Sequence, residues 1–396
     1  MPVNYPQIQQ QLREKSGQAG ERRAEFQRRR QQALDLLSAQ AGDLDGQRQR
    51  VAQAASQDRN LRCAVPLDER LDTARPAPLV DEYPLLLAAD GSQINPNRHD
   101  PVEFAVINVG LIRLAPGQPQ APQEYTATQL FIFEDLDGSQ GGLTEELVAL
   151  TRDLNERREL AERAAQETGG RPVLTLTDGP LELFREPKDD KRFEQRFKDY
   201  LDVLERLATM GVVTAGYVDK PRADLVVRLL ELGMYPPEEM HRAGKERPLG
   251  GVRDIDLYPQ LKPGERTPLF AIQSSSNERF SERMNGALGL CFFYLNAGRE
   301  GHSWLARVEI PYWVSRQTGS VDLLHATLLQ QARQMGARSY PYVLHRAHEI
   351  ALVTFQEKQQ IQLLIENELR RLGIEYGEQS HKQSGKDLQG RKRYGK

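Results

Sequence analysis

The sequence predicts an α/β fold in which helices cover one mixed sheet. Three observations carry that expectation. Apolar runs of strand length, PLLLAAD (84–90) and PVLTLTD (172–178) among them, alternate with stretches of helical periodicity. Three of the strand runs precede the first long helix of this region, and helix and strand then take turns. Two of the runs end on an acid followed by glycine, at Asp90 and at Asp178.

Taken in order, residues 1 to about 60 are rich in Gln, Arg and Ala and read as polar helix with a thin apolar stripe. Such an arm, residues 1–78, is expected to pack on a partner or a second subunit. Pro76 and Pro78 punctuate its end. The run 84–90 is a buried strand by length and flanking residues. VEFAVINVGLIRL (102–114) and YTATQLFIFE (125–134), joined by the Pro/Gly-rich APGQPQAPQ, predict an antiparallel hairpin with a long loop. A helix follows over Leu143–Glu167, with apolar residues at 143, 147, 150, 154, 161 and 165, and TGG ends it.

The run 172–178 is the next strand, RFEQRFKDYLDVLERLATMG the next helix, and VVTAGYVDK (212–220) the strand after it. Three antiparallel strands followed by two crossover units are the order of an RNase H-like core, and right-handed crossovers fix the faces its helices cover. Residues 232–267 are Pro/Gly-rich and read as an insertion. Strands at LGLCFFYLN and HSWLARVEIPYWV follow, then helices over Val321–Met335 and Phe355–Leu372. The core domain is expected over 79–376, with a basic flexible tail over 377–396.

Composition narrows the function. A net charge of −3 argues against a surface coated with phosphate-binding groups but leaves room for a local groove or tail. The two cysteines, Cys63 and Cys291, match no metal spacing or disulfide framework. The start MPVNYPQIQQQLREK has no apolar leader, and no run approaches about 18 apolar residues, so a soluble cytoplasmic protein is expected. Lacking GxxxxGK[ST], GxSxG and HExxH, the chain matches no P-loop ATPase, serine hydrolase or zinc protease.

Asp90 and Asp178 stand where chemistry is expected. Glycine after each acid would let the chain turn and leave the carboxylate beyond the strand end. Two carboxylates on adjacent strands ionise together cheaply only when a cation neutralises them, and hard divalent ions suit oxygen ligands. A third copy, DGSQ at Asp137, follows acidic loop residues and reads as coincidence.

The helix over 143–167 offers Glu156, Glu159 and Glu162 as a further ligand. Counting back along the helix by about 20 Å, or roughly 13 residues, lands nearest Glu156. The main apolar stripe points away from Glu156, so Glu159 stays open as the alternate. His348 would shift metal preference toward manganese, although taken alone it suits a structural role better than a ligand. Lys220 and Arg222, just after a strand, are of the kind that holds a phosphate.

In that order, LLLAADGSQ, PVLTLTDGPLELF, TAGYVDK, ARVEIPYW and SYPYVLHRAHEIAL resemble the NurA nuclease family over roughly residues 80 to 355. The resemblance implies an RNase H-like, manganese-dependent nuclease, usually dimeric. Family members act on single-stranded DNA and duplex ends beside the hexameric HerA ATPase, in DNA end resection. It implies catalytic and metal-ligating positions at Asp90, a Glu on the following helix, Asp178 and His348, with two ions, manganese or magnesium. Pro180 stands where the family often has Ser after Asp-Gly, and GYVDK departs from the usual Gly-Val-Ser-Lys, which weakens the role of Lys220. The rival reading is a non-catalytic DNA-binding adaptor for a motor.

Overall fold

A computed structural model of the chain describes residues 3–17, 19–132, 143–167, 170–183 and 191–374. The DGSQ copy at Asp137 and the basic tail 377–396 lie outside the described residues. Three helices open the chain: α1 (Tyr5–Ser16), α2 (Ala19–Gln40) and α3 (Leu44–Gln57). Strands β1 (Cys63–Pro66), β2 (Leu85–Ile94), β3 (Phe104–Leu114) and β4 (Gln123–Ile132) follow. Next come α4 (Glu145–Ala164), β5 (Val173–Asp178), α5 (Lys191–Thr209), β6 (Val213–Val218), α6 (Leu225–Leu232) and the short α7 (Met240–Ala243). Then β7 (Phe270–Gln273), α8 (Ser275–Ser281), β8 (Leu290–Asn296), β9 (Leu305–Pro311) and α9 (Tyr312–Arg316). The last helices are α10 (Ser320–Gln334), α11 (Tyr342–Ala351) and α12 (Phe355–Arg371).

The chain divides into two compact units: Met1–Leu79 with Pro180–Glu182 and Tyr217–Leu329, and Val80–Gly179 with Leu183–Gly216 and Gln330–Lys396. In the first unit the strands run β1-β7-β8-β9, with the neighbours β1–β7, β7–β8 and β8–β9 antiparallel. Helices α2 and α3 pack on α6, and α3 also on β1, of the same unit. Their apolar contribution is small, Ala33 and Leu37 from α2 and Val51 and Ala54 from α3. Polar anchors supplement it: Arg29 donates to the Gly250 carbonyl at 2.8 Å and Arg30 to the Asp256 carbonyl at 3.1 Å. Helix α1 buries nothing.

In the second unit the strand order is β6-β5-β2-β3-β4. The β2–β3 and β3–β4 pairs are antiparallel and β2–β5 is parallel. An antiparallel meander extended by strands that each follow a helix is the RNase H-like sheet the sequence predicts. β2 and β3 lie inside this sheet and are buried along most of their length, as their near-continuous apolar runs require. Helix α4 starts at Thr144, whose hydroxyl accepts the Leu147 N–H at 3.3 Å. It packs on β2, β3 and β5, and also on α5. Burial on two sides makes the hidden surface of α4 wider than its apolar stripe and takes in Thr151, Glu156 and Arg157.

One expectation is corrected. Asp90 does not end its strand: β2 continues through Gly91, Ser92 and Gln93 to Ile94, paired all the way with β3 from Asp90↔Gly110 to Ile94↔Val106. The ladder to β3 satisfies the backbone there, so no turn forms. Asp178 does end β5, and Gly179 after it has φ of 89°, the left-handed region glycine enters without cost.

Candidate active site

Residues directly opposite in an antiparallel pair share a face, and neighbours along a strand alternate. Asp90 and its partner Gly110 therefore point to one side of the sheet, and Gly91 points to the other. Both glycines are places where a side chain would not fit. A Cβ at Gly110 would lie 2.4 Å from the Ala351 nitrogen and 2.6 Å from the Ala347 carbonyl oxygen, so α11 packs its backbone directly on β3. A Cβ at Gly91 would lie 2.5 Å from Arg152 Cγ and 2.7 Å from Glu156 Oε1, so α4 lays these side chains across bare strand.

The close seat of α11 brings His348 to Asp90, with Nδ1 2.7 Å from Oδ2. The pairing orients the ring so that Nε2 is the nitrogen turned outward, and His348 is 61% exposed against 15% for Asp90. The other carboxylate oxygen of Asp90 accepts the Gly91 N–H at 2.8 Å. The end of α11 is fastened to the sheet by its last carbonyl: Ala351 O accepts from Ser92 Oγ at 2.5 Å and from Asn108 Nδ2 at 2.9 Å. Thr128 Oγ1 in turn donates to Asn108 Oδ1 at 2.7 Å, fixing the amide's orientation. His348 sits in the final turn of α11.

On the α4 side, Glu156 is buried at 4% exposure. Burial pushes its carboxyl well above the ordinary range, and the charges of Asp153 and, more weakly, Asp90 push the same way, while Arg157 and Arg152 pull it down. Arg152 Nε lies 3.5 Å from Glu156 Oε1, and Arg157 Nη1 lies 3.8 Å from Oε2. Arg152 also feels the charge of Asp90, its own pKa set by burial against the attraction of Asp153 and Glu156. Of the alternates, Glu159 is half-buried and Glu162 exposed.

Asp178 stands on the strand beside Asp90: β2 and β5 are parallel with Ala89 opposite Thr177, one residue before each acid. The structure thus pairs Asp90 with His348, sets Asp178 on the neighbouring strand, and lays Glu156 over Gly91 on the other face of β2. Lys220 and Arg222 belong to the other unit. Sequence reasoning missed Arg152 and the packing roles of both glycines. Arg152 was legible as the residue one turn ahead of Glu156 on the same helix face.

Among the described residues no group of three or more His, Cys, Asp or Glu side chains stands in an arrangement that holds a metal ion. The residues nevertheless fit one chemically. Three carboxylates and an imidazole are the donors a hard-to-borderline divalent ion takes. The cradle at Gly91, which a Cβ would fill, admits the Glu156 carboxylate against the bare strand. A cation there would favour the ionised form that burial opposes.

The family model of the NurA domain matches residues 84–353, about two thirds of the chain and the stretch that carries all four of these side chains. The chain belongs to the NurA nuclease family. No curated protein sequence matches it. Among solved structures, the NurA nuclease from Sulfolobus solfataricus is 14% identical, covering 75% of this chain and 88% of that one with a TM-score of 0.48. Endonuclease V from Ciona intestinalis, solved with an inosine-containing DNA, is 12% identical over 79% of this chain and 96% of its own, TM-score 0.31. The catalytic domain of human Endonuclease V is 13% identical over 84% and 98%, TM-score 0.32. No helix of the described residues in this NurA chain is long and apolar enough to cross a membrane.

Proposed function

We propose that this NurA-family chain hydrolyses phosphodiester bonds in DNA with two divalent ions, manganese in preference to magnesium, held by Asp90, Glu156, Asp178 and His348. The observation that carries the reading is the Asp90–His348 pair on one face of β2 with the buried Glu156 laid over Gly91 on the other. A bound divalent ion would act as a Lewis acid on the phosphodiester. The protein's own groups do the rest. Asp90 orients the His348 ring and presents Nε2. Arg152 and Arg157 favour the ionised state of Glu156, and Asp178 adds charge from the next strand.

Single-stranded DNA and duplex ends are the substrates, and end resection with a HerA-like hexameric ATPase is the setting, as family membership suggests. Dimerisation belongs to the same reading, and so does a cytoplasmic location. Helix α1 supports a partner contact, since Tyr5, Ile8 and Leu12 lie along one exposed side at helical spacing. The test is digestion of labelled single-stranded DNA and nicking of plasmid by the purified chain in manganese, in magnesium and in EDTA. Cleavage in manganese that stops in EDTA supports the reading. Binding without cleavage in every metal would favour a DNA-binding adaptor instead.

A further inference from the structure

In the first unit a half-buried aromatic ring, that of Trp304, is held by its backbone and by its edge. Trp304 precedes β9, and its backbone N–H donates to Asn296 Oδ1 at 3.0 Å. Asn296 is fully buried; the same oxygen accepts the Gly298 N–H at 3.0 Å, and Nδ2 donates to the Leu261 carbonyl at 2.8 Å. The turn between is closed by Arg299 and His302, which exchange backbone hydrogen bonds of 3.0 and 2.8 Å. It is tight enough that a Cβ on Gly298 would lie 2.2 Å from the His302 carbonyl oxygen.

The indole itself is fixed by its edge. Nε1 donates to Asp219 Oδ1 at 2.7 Å. Lys220 takes a left-handed backbone conformation, φ 48°, a costly one for a residue with a side chain, and its Nζ lies 4.9 Å from the centre of the ring. The exposed His302 ring is inclined 21° to the indole with centroids 6.2 Å apart, an offset stack. Arg222, two residues beyond Lys220, and Arg299 are exposed.

A fixed aromatic pair, Trp304 half-buried and His302 exposed, flanked by cations is the chemistry that receives an unpaired base and its phosphate. We propose that Trp304 and His302 form a stacking platform for an unpaired nucleobase of single-stranded DNA, with Lys220 and Arg222 holding the adjoining phosphate. The proposal rests on the reading that the chain acts on DNA. A duplex keeps its base faces stacked on one another, so the platform selects single strands.

The test uses the full chain in EDTA, so that nothing is cut, with fluorescein-labelled dT12, the same strand made abasic at alternate positions, and a 12-base-pair duplex as probes. Trp304→Ala is expected to raise Kd for dT12 by about 5- to 150-fold, the loss of one stacked base. Trp304→Phe, which keeps a ring, stays within about threefold of wild type on the same basis. Lys220→Ala flattens the slope of log affinity against log salt by about 0.7, one phosphate contact on a single strand. In Trp313→Phe, which leaves Trp304 the sole tryptophan of two, dT12 quenches the fluorescence and the abasic strand does so far less. Equal affinity of Trp304→Ala and wild type for dT12, or equal quenching by intact and abasic strands, would overturn the platform. A wild-type chain that binds none of the probes would instead remove the DNA reading beneath it.

Discussion

Gly110 offers the sharpest perturbation, because its replacement acts on the site through backbone alone. Alanine is compatible with the extended conformation there, and by local propensity Gly→Ala in a strand should stabilise by about 0.5–1 kcal/mol. The added methyl, however, would lie 2.4 Å from the Ala351 nitrogen, 2.6 Å from the Ala347 carbonyl oxygen and 2.8 Å from the Ile350 carbonyl carbon. Ordinary contact needs about 3.5 Å, so α11 has to lift by about 1 Å.

That displacement stretches the Asp90–His348 contact from 2.7 Å beyond hydrogen-bond range, and it strains the bonds of Ser92 and Asn108 to Ala351. Overpacking costs about 1–3 kcal/mol, so after the propensity gain the net loss in stability is about 0–2.5 kcal/mol. Misplacing a reacting group by about 1 Å costs on the order of a hundredfold in rate. Initial rates on labelled single-stranded DNA in saturating manganese, with thermal melts to show that the variant is folded at the assay temperature, measure both effects. Wild-type rate together with wild-type melting temperature in Gly110→Ala would refute the packing argument.

Gly91→Ala should behave differently, because its methyl meets the movable ends of Arg152 and Glu156. Melting stays within a few degrees of wild type while the rate falls at least about tenfold, and an unchanged rate would detach Glu156 from the chemistry. Glu156→Gln is expected to cost orders of magnitude, whereas Glu162→Gln, on the exposed side of α4, stays within about tenfold, near 1.4 kcal/mol of barrier; a dead Glu162→Gln would mean the wrong helix face is assigned. The pH dependence of stability carries two opposed contributions. Burial raises the Asp254 carboxyl to about 6 and lowers the His325 imidazole to about 4. Asp254 takes up a proton more readily folded, so acidification from pH 6 to 4 stabilises through it; His325 takes one up more readily unfolded, so acidification from pH 6.5 to 4 destabilises through it. Asp254→Asn leaves the second unopposed, and urea titrations should show it losing about 3 kcal/mol over that window, more than wild type loses. Parallel stability curves for the two proteins would contradict this.

Much of the second unit is legible in the sequence because its strands are short apolar runs and its helices keep their periodicity. The order from β2 to β6 follows from that pattern. The end of β2 does not: Gly91, Ser92 and Gln93 look like a turn, and only the ladder to β3 makes them strand. Helix α11 is hidden for a related reason. Pro341 at its start and the polar run His345–Glu349 suppress the apolar signal, and its seat on β3 depends on a glycine far away in sequence. Glu156 shows how a periodicity can mislead, since α4 is buried on two sides and its apolar stripe marks only part of what is covered. The thin stripe of α2 is compensated by arginines whose carbonyl partners lie more than two hundred residues away, beyond the reach of any local pattern.

The central claim is that the carboxylates at Asp90 and Asp178 and the imidazole of His348 form one metal-dependent hydrolytic site. The most direct measurement is cleavage of labelled single-stranded DNA in manganese by wild type and by Asp90→Asn, purified side by side and matched in melting temperature. Cleavage by the wild type and none above background by Asp90→Asn is the predicted result. Cleavage by Asp90→Asn at the wild-type rate in saturating manganese would contradict it, because the chemistry would then lie elsewhere.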